Sequence, residues 1–130
     1  AWSIPYTAAC AGAKLVMNGP NFDPPTLHKL IVDEGVDLAL AVPTIWLGMM
    51  QYLEKTGQGL GKLDRTAIGG SAVPRAMIEA YDKLGVRVLQ LWGMTEMSPL
   101  GTVGTGIPET DAMAYEQQLD VRIKQGRGLF

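Results

Sequence analysis

Short apolar runs alternating with longer helix-like segments constrain the fold of this chain more than any other feature. Runs typical of buried strands occupy Val36–Val42, Thr66–Ile68 and Val86–Leu91. Helical patterns of about 10–15 residues separate these runs, one beginning at Pro43 and the other spanning Pro74–Leu84. Parallel strands joined through helices form βαβ units with right-handed crossovers. The sequence therefore predicts the α/β class, with alternating βαβ units that form a mostly parallel sheet flanked by helices.

The segments outside this pattern are predicted from capping and turn residues. Asp23 can accept the free N–H groups of a helix that starts at Pro24, and Gly35 suits the end of that helix. The other predicted elements are a helix at Ile4–Ala11, a strand at Ala13–Met17, a glycine-rich loop at Ser98–Pro108 and a surface helix at Asp111–Leu119.

An aromatic residue, a glycine, a hydroxyl and a carboxylate follow the last predicted strand, in the stretch Leu91-Trp92-Gly93-Met94-Thr95-Glu96. In open α/β sheets, ligands bind beyond the carboxyl ends of the strands. A flat ring can stack on Trp92, and the backbone can approach a ligand closely at Gly93. Thr95 can hydrogen-bond a phosphate, and the Glu96 carboxylate can hold a hard cation such as Mg²⁺. The set indicates a nucleotide site, and the alternative is an N-capping threonine with a first-turn glutamate.

A second loop, Gly69-Gly70-Ser71-Ala72-Val73-Pro74, leaves the end of the strand Thr66–Ile68 and opens the next helix. Paired glycines let the backbone lie flat against a planar group or adopt a positive φ. Pro74 fits the first turn of a helix, where its missing N–H is not needed. Both loops are therefore expected at the carboxyl ends of strands, and a tight turn without a ligand is the alternative for the glycine pair.

Composition excludes several other classes of function. The 130 residues are 47% hydrophobic and 18% charged, with 11 basic and 13 acidic side chains and a net charge of −2. This is ordinary for a globular domain, and no Lys/Arg cluster indicates nucleic-acid binding. No apolar run reaches the ~20 residues of a membrane span, and no signal peptide is apparent. The single histidine, His28, is expected at the surface, and the single cysteine, Cys10, as a small buried residue in a reducing compartment, the cytoplasm.

These loops resemble the nucleotide-binding motifs of adenylate-forming enzymes, in the acyl-CoA synthetase (fatty-acid–CoA ligase) branch. Gly69-Gly70-Ser71-Ala72-Val73-Pro74 resembles the adenine-binding loop of that family, and Trp92-Gly93-Met94-Thr95-Glu96 resembles its Tyr-Gly-x-Thr-Glu motif. Ala1-Trp2-Ser3-Ile4-Pro5-Tyr6, Gly12-Ala13-Lys14 and Val42-Pro43-Thr44-Ile45-Trp46 match the same branch in the same order.

The resemblance implies an enzyme that joins a carboxylic acid to AMP from ATP, with Mg²⁺, and then transfers the acyl group to coenzyme A. Thr95 and Glu96 would be the catalytic pair, with Thr95 on a phosphate and Glu96 on the metal. The family usually has tyrosine where this chain has Trp92, which keeps the aromatic face but offers an indole N–H in place of the phenolic O–H. The implied nucleotide-binding residues are Gly70, Ser71, Ala72, Leu91, Trp92, Gly93, Met94 and Thr95. Those implied to border the acyl substrate are Trp2, Val42 and Gly70.

The resemblance covers one part of such an enzyme. We call the full-length enzyme the parent protein. Residues 1–130 correspond to a single α/β fragment of its large N-terminal AMP-binding domain. The family's phosphate loop is expected upstream and its lysine-bearing C-terminal domain downstream, so the fragment alone is expected to be inactive. A homodimer of the parent protein is compatible with the resemblance. The alternatives are an amino-acid-activating or luciferase-like adenylate-forming enzyme, and a non-catalytic α/β binding module.

Overall fold

Helices and short strands alternate through most of the chain in the computed structural model, which describes residues 3–129. The elements are α1 (Ile4–Ala11), α2 (Pro24–Asp33), β1 (Leu38–Ala41), α3 (Pro43–Thr56), β2 (Arg65–Ile68), α4 (Arg75–Lys83), β3 (Arg87–Gly93), a 3₁₀ turn (Thr95–Met97), β4 (Leu100–Val103), α5 (Pro108–Asp111), α6 (Tyr115–Arg122) and β5 (Arg127–Gly128). The strands form one sheet in the order β1-β2-β3-β4-β5. The pairs β1–β2 and β2–β3 are parallel, and the pairs β3–β4 and β4–β5 are antiparallel. The α/β class is confirmed, with a mixed sheet, and no helix among these described elements is both long and apolar enough to cross a membrane.

The parallel half of the sheet carries the hydrophobic core. Ala39, Thr66 and Val88 lie side by side across β1, β2 and β3, and Ala41, Ile68 and Gln90 form the row two residues further along. Helices α2, α3 and α4 pack against this half of the sheet and against one another, as alternating βαβ units require. The buried core residues are Ile31, Trp46, Met49, Leu53, Leu60, Leu63, Ile68, Val73, Met77, Ile78, Tyr81, Val86, Val88 and Leu119.

A pair of aromatic residues joins α3 to α4 inside this core. The rings of Trp46 and Tyr81 meet edge to face, with their centroids 5.3 Å apart. The Tyr81 hydroxyl donates a hydrogen bond of 2.7 Å to the carbonyl oxygen of Trp46. Burial raises the pKa of the Tyr81 phenol well above its usual value, so the hydroxyl stays protonated and remains a donor.

The segment Ser98–Pro108 was expected to be a loop, and that prediction is wrong because it contains β4. The connection Met94–Pro99 is too short for a helical crossover, so β4 returns antiparallel to β3. The glycine content is explained by close packing inside the strand. A Cβ on Gly101 would lie 2.9 Å from Cζ3 of Trp92 and 2.5 Å from Cε of Met97.

Two other predicted elements differ from the structure. Ala13–Met17 forms no strand, because no neighbouring strand in residues 3–129 pairs with it, and most of the segment is exposed. The helix expected at Asp111–Leu119 is broken at Ala112–Ala114 into α5 and α6, which begins at Tyr115. The N-terminal helix Ile4–Ala11 is confirmed as α1, although none of its residues is buried.

The expected positions of the single cysteine and the single histidine are both wrong. Cys10 is exposed because α1 packs little of its surface against the rest of the described chain. His28 is buried because α3 packs against the side of α2 that carries His28, a side that was expected to face solvent. Its Nε2 donates a hydrogen bond of 2.8 Å to the carbonyl oxygen of Gly59, and its ring lies 5.3 Å from that of Tyr52.

Candidate functional site

A cleft opens where the two predicted loops leave the carboxyl ends of β2 and β3. Because these strands are parallel neighbours, their carboxyl ends meet at one edge of the sheet. The cleft has a volume of about 160 Å³. Pockets that enclose a whole small molecule usually have volumes of at least ~300 Å³. The cleft is smaller than this, so it can hold one flat ring rather than a complete ligand. Its lining residues are Gly70, Ser71, Ala72, Leu91, Trp92, Gly93 and Gln125.

The loop after β2 forms one wall. Gly70 has a φ of +89°, a conformation that glycine adopts without steric cost, as expected for the glycine pair. A Cβ at this position would also lie 3.2 Å from Cγ1 of Val42, so Gly70 and Val42 are direct neighbours. The loop ends in a buried Val73, after which α4 begins at Arg75 with Pro74 as its N-cap.

The end of β3 forms the second wall. The Trp92 side chain is 40% exposed and lies against Gly101 of β4, which leaves part of its ring free to meet a ligand. At Gly93 the group that approaches closely is the chain's own backbone rather than a ligand. A Cβ at this position would lie 1.9 Å from the carbonyl oxygen of Pro99. A register shift between Trp92 and Gly93 accompanies this contact. Internal packing therefore already requires glycine at position 93.

Thr95 and Glu96 lie just beyond the cleft, on the 3₁₀ turn, and neither they nor Met94 line it. The residue at the N-cap of this turn is Met94, and no side chain caps it. Within residues 3–129, the Thr95 hydroxyl and the Glu96 carboxylate form no hydrogen bond or ion pair with another side chain or the backbone. Both side chains are exposed. The alternative is therefore wrong for Thr95, which is not the N-cap, although Glu96 does lie in the first turn. Both side chains are free to contact a ligand.

The electrostatics of the site depend on Glu96. None of the residues that line the cleft is lysine or arginine. In the part of the chain that the structure describes, no group of three or more His, Cys, Asp or Glu side chains could hold a metal ion. Mg²⁺ commonly binds one or two protein carboxylates and takes its other ligands from substrate phosphates and water. A free, exposed glutamate beside a ring-sized cleft fits that donor set.

Gln125 lines the cleft and was not predicted from the sequence. Two contacts bring its segment to the site. The Thr102 hydroxyl donates a hydrogen bond to the Gln125 carbonyl oxygen. Gly126, with a φ of +84°, packs so closely on β4 that a Cβ would lie 2.2 Å from the carbonyl carbon of Val103. Neither contact has a local sequence signal, since both depend on the pairing of β4 with β5.

The three residues expected to border an acyl substrate are only partly described. Val42, just after β1, and Gly70, just after β2, are direct neighbours, and Val42 is exposed. Trp2 lies outside the described residues. The structure therefore brings together two of the three positions.

A larger cavity, of about 350 Å³, lies at the opposite, amino end of β3. Its charged groups are already paired with one another. The Arg122 guanidinium donates to both carboxylate oxygens of Asp82 at 2.6 and 2.7 Å, and Arg87 lies 3.4 Å from Asp111. Because these charges are paired with one another and no residue of either strand-end loop lines the cavity, the smaller cleft is the better candidate site.

Comparison with known proteins gives a consistent result. The family model of AMP-binding enzymes matches residues 1–123. The chain is 43% identical to a medium-chain-fatty-acid–CoA ligase of Ectopseudomonas oleovorans, over 98% of this chain and 23% of that protein. It is also 43% identical to a 3-methylmercaptopropionyl-CoA ligase of Ruegeria lacuscaerulensis, over 100% of this chain and 24% of that protein. The crystal structure of the N-terminal domain of FACL13 from Mycobacterium tuberculosis superposes with a TM-score of 0.75 at 29% identity, covering 93% of this chain and 28% of that one. The chain thus spans about a quarter of the length of these relatives.

Proposed function

The chain belongs to the AMP-binding enzyme family, and on that premise we propose that it is part of an ATP-dependent acyl-CoA synthetase. The parent protein would activate a carboxylic acid as its acyl-AMP and then transfer the acyl group to coenzyme A. The observation that carries the proposal is the cleft itself, whose lining includes residues of both predicted nucleotide loops. CoA ligases at 43% identity favour this branch over amino-acid-activating or luciferase-like enzymes and over a non-catalytic module.

The cleft residues would hold the adenine ring. Trp92 offers a partly exposed aromatic face for stacking, and the opposite wall is the backbone of Gly70–Ala72. Because Gly70 has no side chain, a planar base can lie directly against its peptide group. Stacking on one side and backbone contacts on the other would recognise a purine without any charged side chain in the cleft.

Thr95 and Glu96 would act on the phosphates just outside the cleft. The acid's carboxylate oxygen attacks the α-phosphorus, the bond to pyrophosphate breaks, and the coenzyme A thiol later displaces AMP from the acyl carbonyl. The Thr95 hydroxyl, on the 3₁₀ turn, would donate a hydrogen bond to an α-phosphate oxygen, and Glu96 would hold Mg²⁺. When bound, that ion offsets the negative charge of the phosphates. The contribution of these residues is orientation and charge balance.

The acid would enter beside Val42 and Gly70, and the family resemblance implies Trp2 as a third residue that borders it. The two relatives differ in their named acids, one a medium-chain fatty acid and the other 3-methylmercaptopropionate. We therefore restrict the substrate to a carboxylic acid with an aliphatic chain. Cytoplasmic location, expected from the single cysteine, and a homodimeric parent protein belong to the same proposal.

The 130 residues would supply the adenine cleft and the metal-binding glutamate, while other segments of the parent protein supply the phosphate loop and the C-terminal catalytic lysine. The relatives are about four times as long as the matched region, which leaves room for those segments.

The decisive experiment follows pyrophosphate release by the parent protein with ATP, Mg²⁺, coenzyme A and a panel of straight-chain and thioether acids. Acid-dependent release is expected, and Glu96→Ala should reduce kcat/KM by about 100-fold or more. Glu54→Ala is the matched control, because Glu54 is also exposed but lies at the far end of α3. The proposal would be overturned if the folded parent protein released no pyrophosphate with any acid and also did not bind ATP. Equal losses in both variants would remove Glu96 from the metal site.

A further inference from the structure

Gln90 is a polar residue in the middle of an apolar strand, and it is only 2% exposed. A buried amide is costly unless its donor and acceptor are both used. Here they are. Oε1 accepts a hydrogen bond of 3.1 Å from the Val73 N–H, and Nε2 donates one of 3.0 Å to the Arg122 carbonyl oxygen.

These two hydrogen bonds reach both other segments of the nucleotide cleft. Val73 directly follows the wall formed by Gly70–Ala72, and Arg122 ends α6 shortly before Gln125. Gln90 itself immediately precedes the wall that begins at Leu91. One side chain therefore joins the three segments that line the cleft. Its main chain adds a hydrogen bond to the segment after β4, since the Gln90 carbonyl oxygen accepts a 2.8 Å hydrogen bond from the Gly104 N–H.

We propose that Gln90 is a positioning residue that sets the width of the nucleotide cleft by tying its three lining segments together. The inference rests on the proposed function for its kinetic consequence, but its structural content does not. Gln90 does not line the cleft, so it acts through its neighbours rather than on the ligand. A neutral amide suits the role because it supplies a donor and an acceptor on one side chain without burying a charge.

The variants Gln90→Met and Gln90→Glu separate these properties. Methionine keeps the length of the side chain but removes both hydrogen bonds. Glutamate keeps an acceptor for the Val73 N–H and, when ionised, removes the donor to Arg122. When the buried carboxyl is protonated, its O–H can again donate to the Arg122 carbonyl oxygen while the other oxygen still accepts from Val73. Burial favours that protonated form.

Thr66→Val is the matched control. Thr66 is fully buried in β2, and its hydroxyl donates a 3.1 Å hydrogen bond to the Ala39 carbonyl oxygen. The control therefore removes a buried hydrogen bond from the same sheet without touching any segment of the cleft. All three variants are made in the parent protein, and the melting temperature of each is measured so that kinetic effects are compared between variants with similar losses of thermal stability.

In steady-state kinetics, Gln90→Met should raise KM for ATP by about 5- to 100-fold, with KM for coenzyme A changed less than about twofold. Gln90→Glu should keep KM for ATP near the parental value while its carboxyl is protonated and raise it where the pH is high enough to ionise that carboxyl, measured against the parental protein at each pH. Thr66→Val should leave KM for ATP unchanged. Equal KM effects in Gln90→Met and Thr66→Val, or a KM for Gln90→Glu as high as that of Gln90→Met at every pH, would overturn the proposal.

Amide hydrogen exchange tests the same inference without catalysis. Exchange should accelerate in both 69–73 and 122–126 in Gln90→Met, and in neither segment in Thr66→Val. If the parent protein releases no pyrophosphate with any acid, the proposed function fails, while this exchange pattern still decides the positioning role. Unchanged exchange in either segment would show that Gln90 does not couple them.

Discussion

Trp92 is the residue on which the adenine assignment depends most directly. Its ring is held on one side by Gly101 and is partly exposed at the cleft. Stacking of a base on an aromatic ring contributes about 1–3 kcal/mol. Trp92→Ala should therefore raise KM for ATP in the parent protein by about 5- to 150-fold, while Trp92→Tyr should stay within about threefold because it keeps the aromatic face.

Met113→Ala is the control for this pair of variants, since Met113 is an exposed hydrophobic residue that belongs to neither loop and does not line the cleft. The measurement is KM for ATP with acid and coenzyme A saturating, together with nucleotide quenching of tryptophan fluorescence. If Trp92→Ala matched Met113→Ala, the ring would have only a packing role.

At this scale the sequence predicts residue types well and their partners poorly. Six of the seven cleft-lining residues were named from the two loops, because strand-end position is a local property of the chain. Gly93 was assigned to ligand approach, whereas the backbone of Pro99 already demands a glycine there. Gln125 was missed because its position depends on a contact with β4. The glycine-rich sequence of that segment had predicted a loop instead of a strand.

At the scale of elements, α6 is held against α4 by a cluster of ion pairs. The Arg122–Asp82 pair is largely shielded from water, with 13% and 18% of the side chains exposed, and the Tyr115 hydroxyl donates a 3.0 Å hydrogen bond to the same carboxylate. Arg75 of α4 also pairs with Asp120 and Glu116. Those outer pairs are exposed and contribute less.

Arg122→Leu should loosen α6 by leaving the Asp82 carboxylate shielded and unpaired. We expect a local destabilisation of about 2 kcal/mol, below the roughly 3–5 kcal/mol of fully buried pairs because both side chains retain some water contact. Faster amide exchange over 115–122 in the parent protein measures it. Arg65→Leu is the control, because Arg65 pairs with Asp64 at an exposed site and should change stability by less than about 0.5 kcal/mol. Equal exchange in both variants would contradict the assigned role of the Arg122 pair.

The strands joined through helices were predicted well, and so were the helices α1 and α2, whereas the strand content of Ala13–Met17 and of Ser98–Pro108 was not. β1, β2 and β3 with their crossover helices follow from periodicity, which a local window contains. Ala13–Met17 has a strand-like composition but no partner strand in residues 3–129, and a strand exists only through its neighbour. β4 shows the reverse case, in which a partner strand overrides a loop-like composition.

At the scale of the whole molecule, the described chain has a packed centre and an unpacked N-terminal region. α1 contributes no buried residue, and Tyr6, Met17 and Phe22 are all exposed. The buried core, by contrast, lies around β2 and β3, with residues of β1 only partly buried against it. This distribution places the cleft on the rigid part of the molecule, since β2, β3 and α4 all contribute to the core.

The same chain, produced alone, should bind adenine nucleotides weakly and catalyse nothing. The cleft holds one ring, so affinity for ATP should be no tighter than about 1 mM, the binding expected from a stack and a few backbone contacts. Phosphate transfer needs several preorganised charges, and Glu96 is the only charged residue of this chain assigned to the phosphates. Nucleotide quenching of tryptophan fluorescence measures the binding, and pyrophosphate release the chemistry. Trp92→Ala in the isolated chain is the control, and its quenching should disappear. Acid-dependent turnover by the 130 residues would contradict the proposed division of the site, because a complete set of phosphate-binding charges would then have to lie within them.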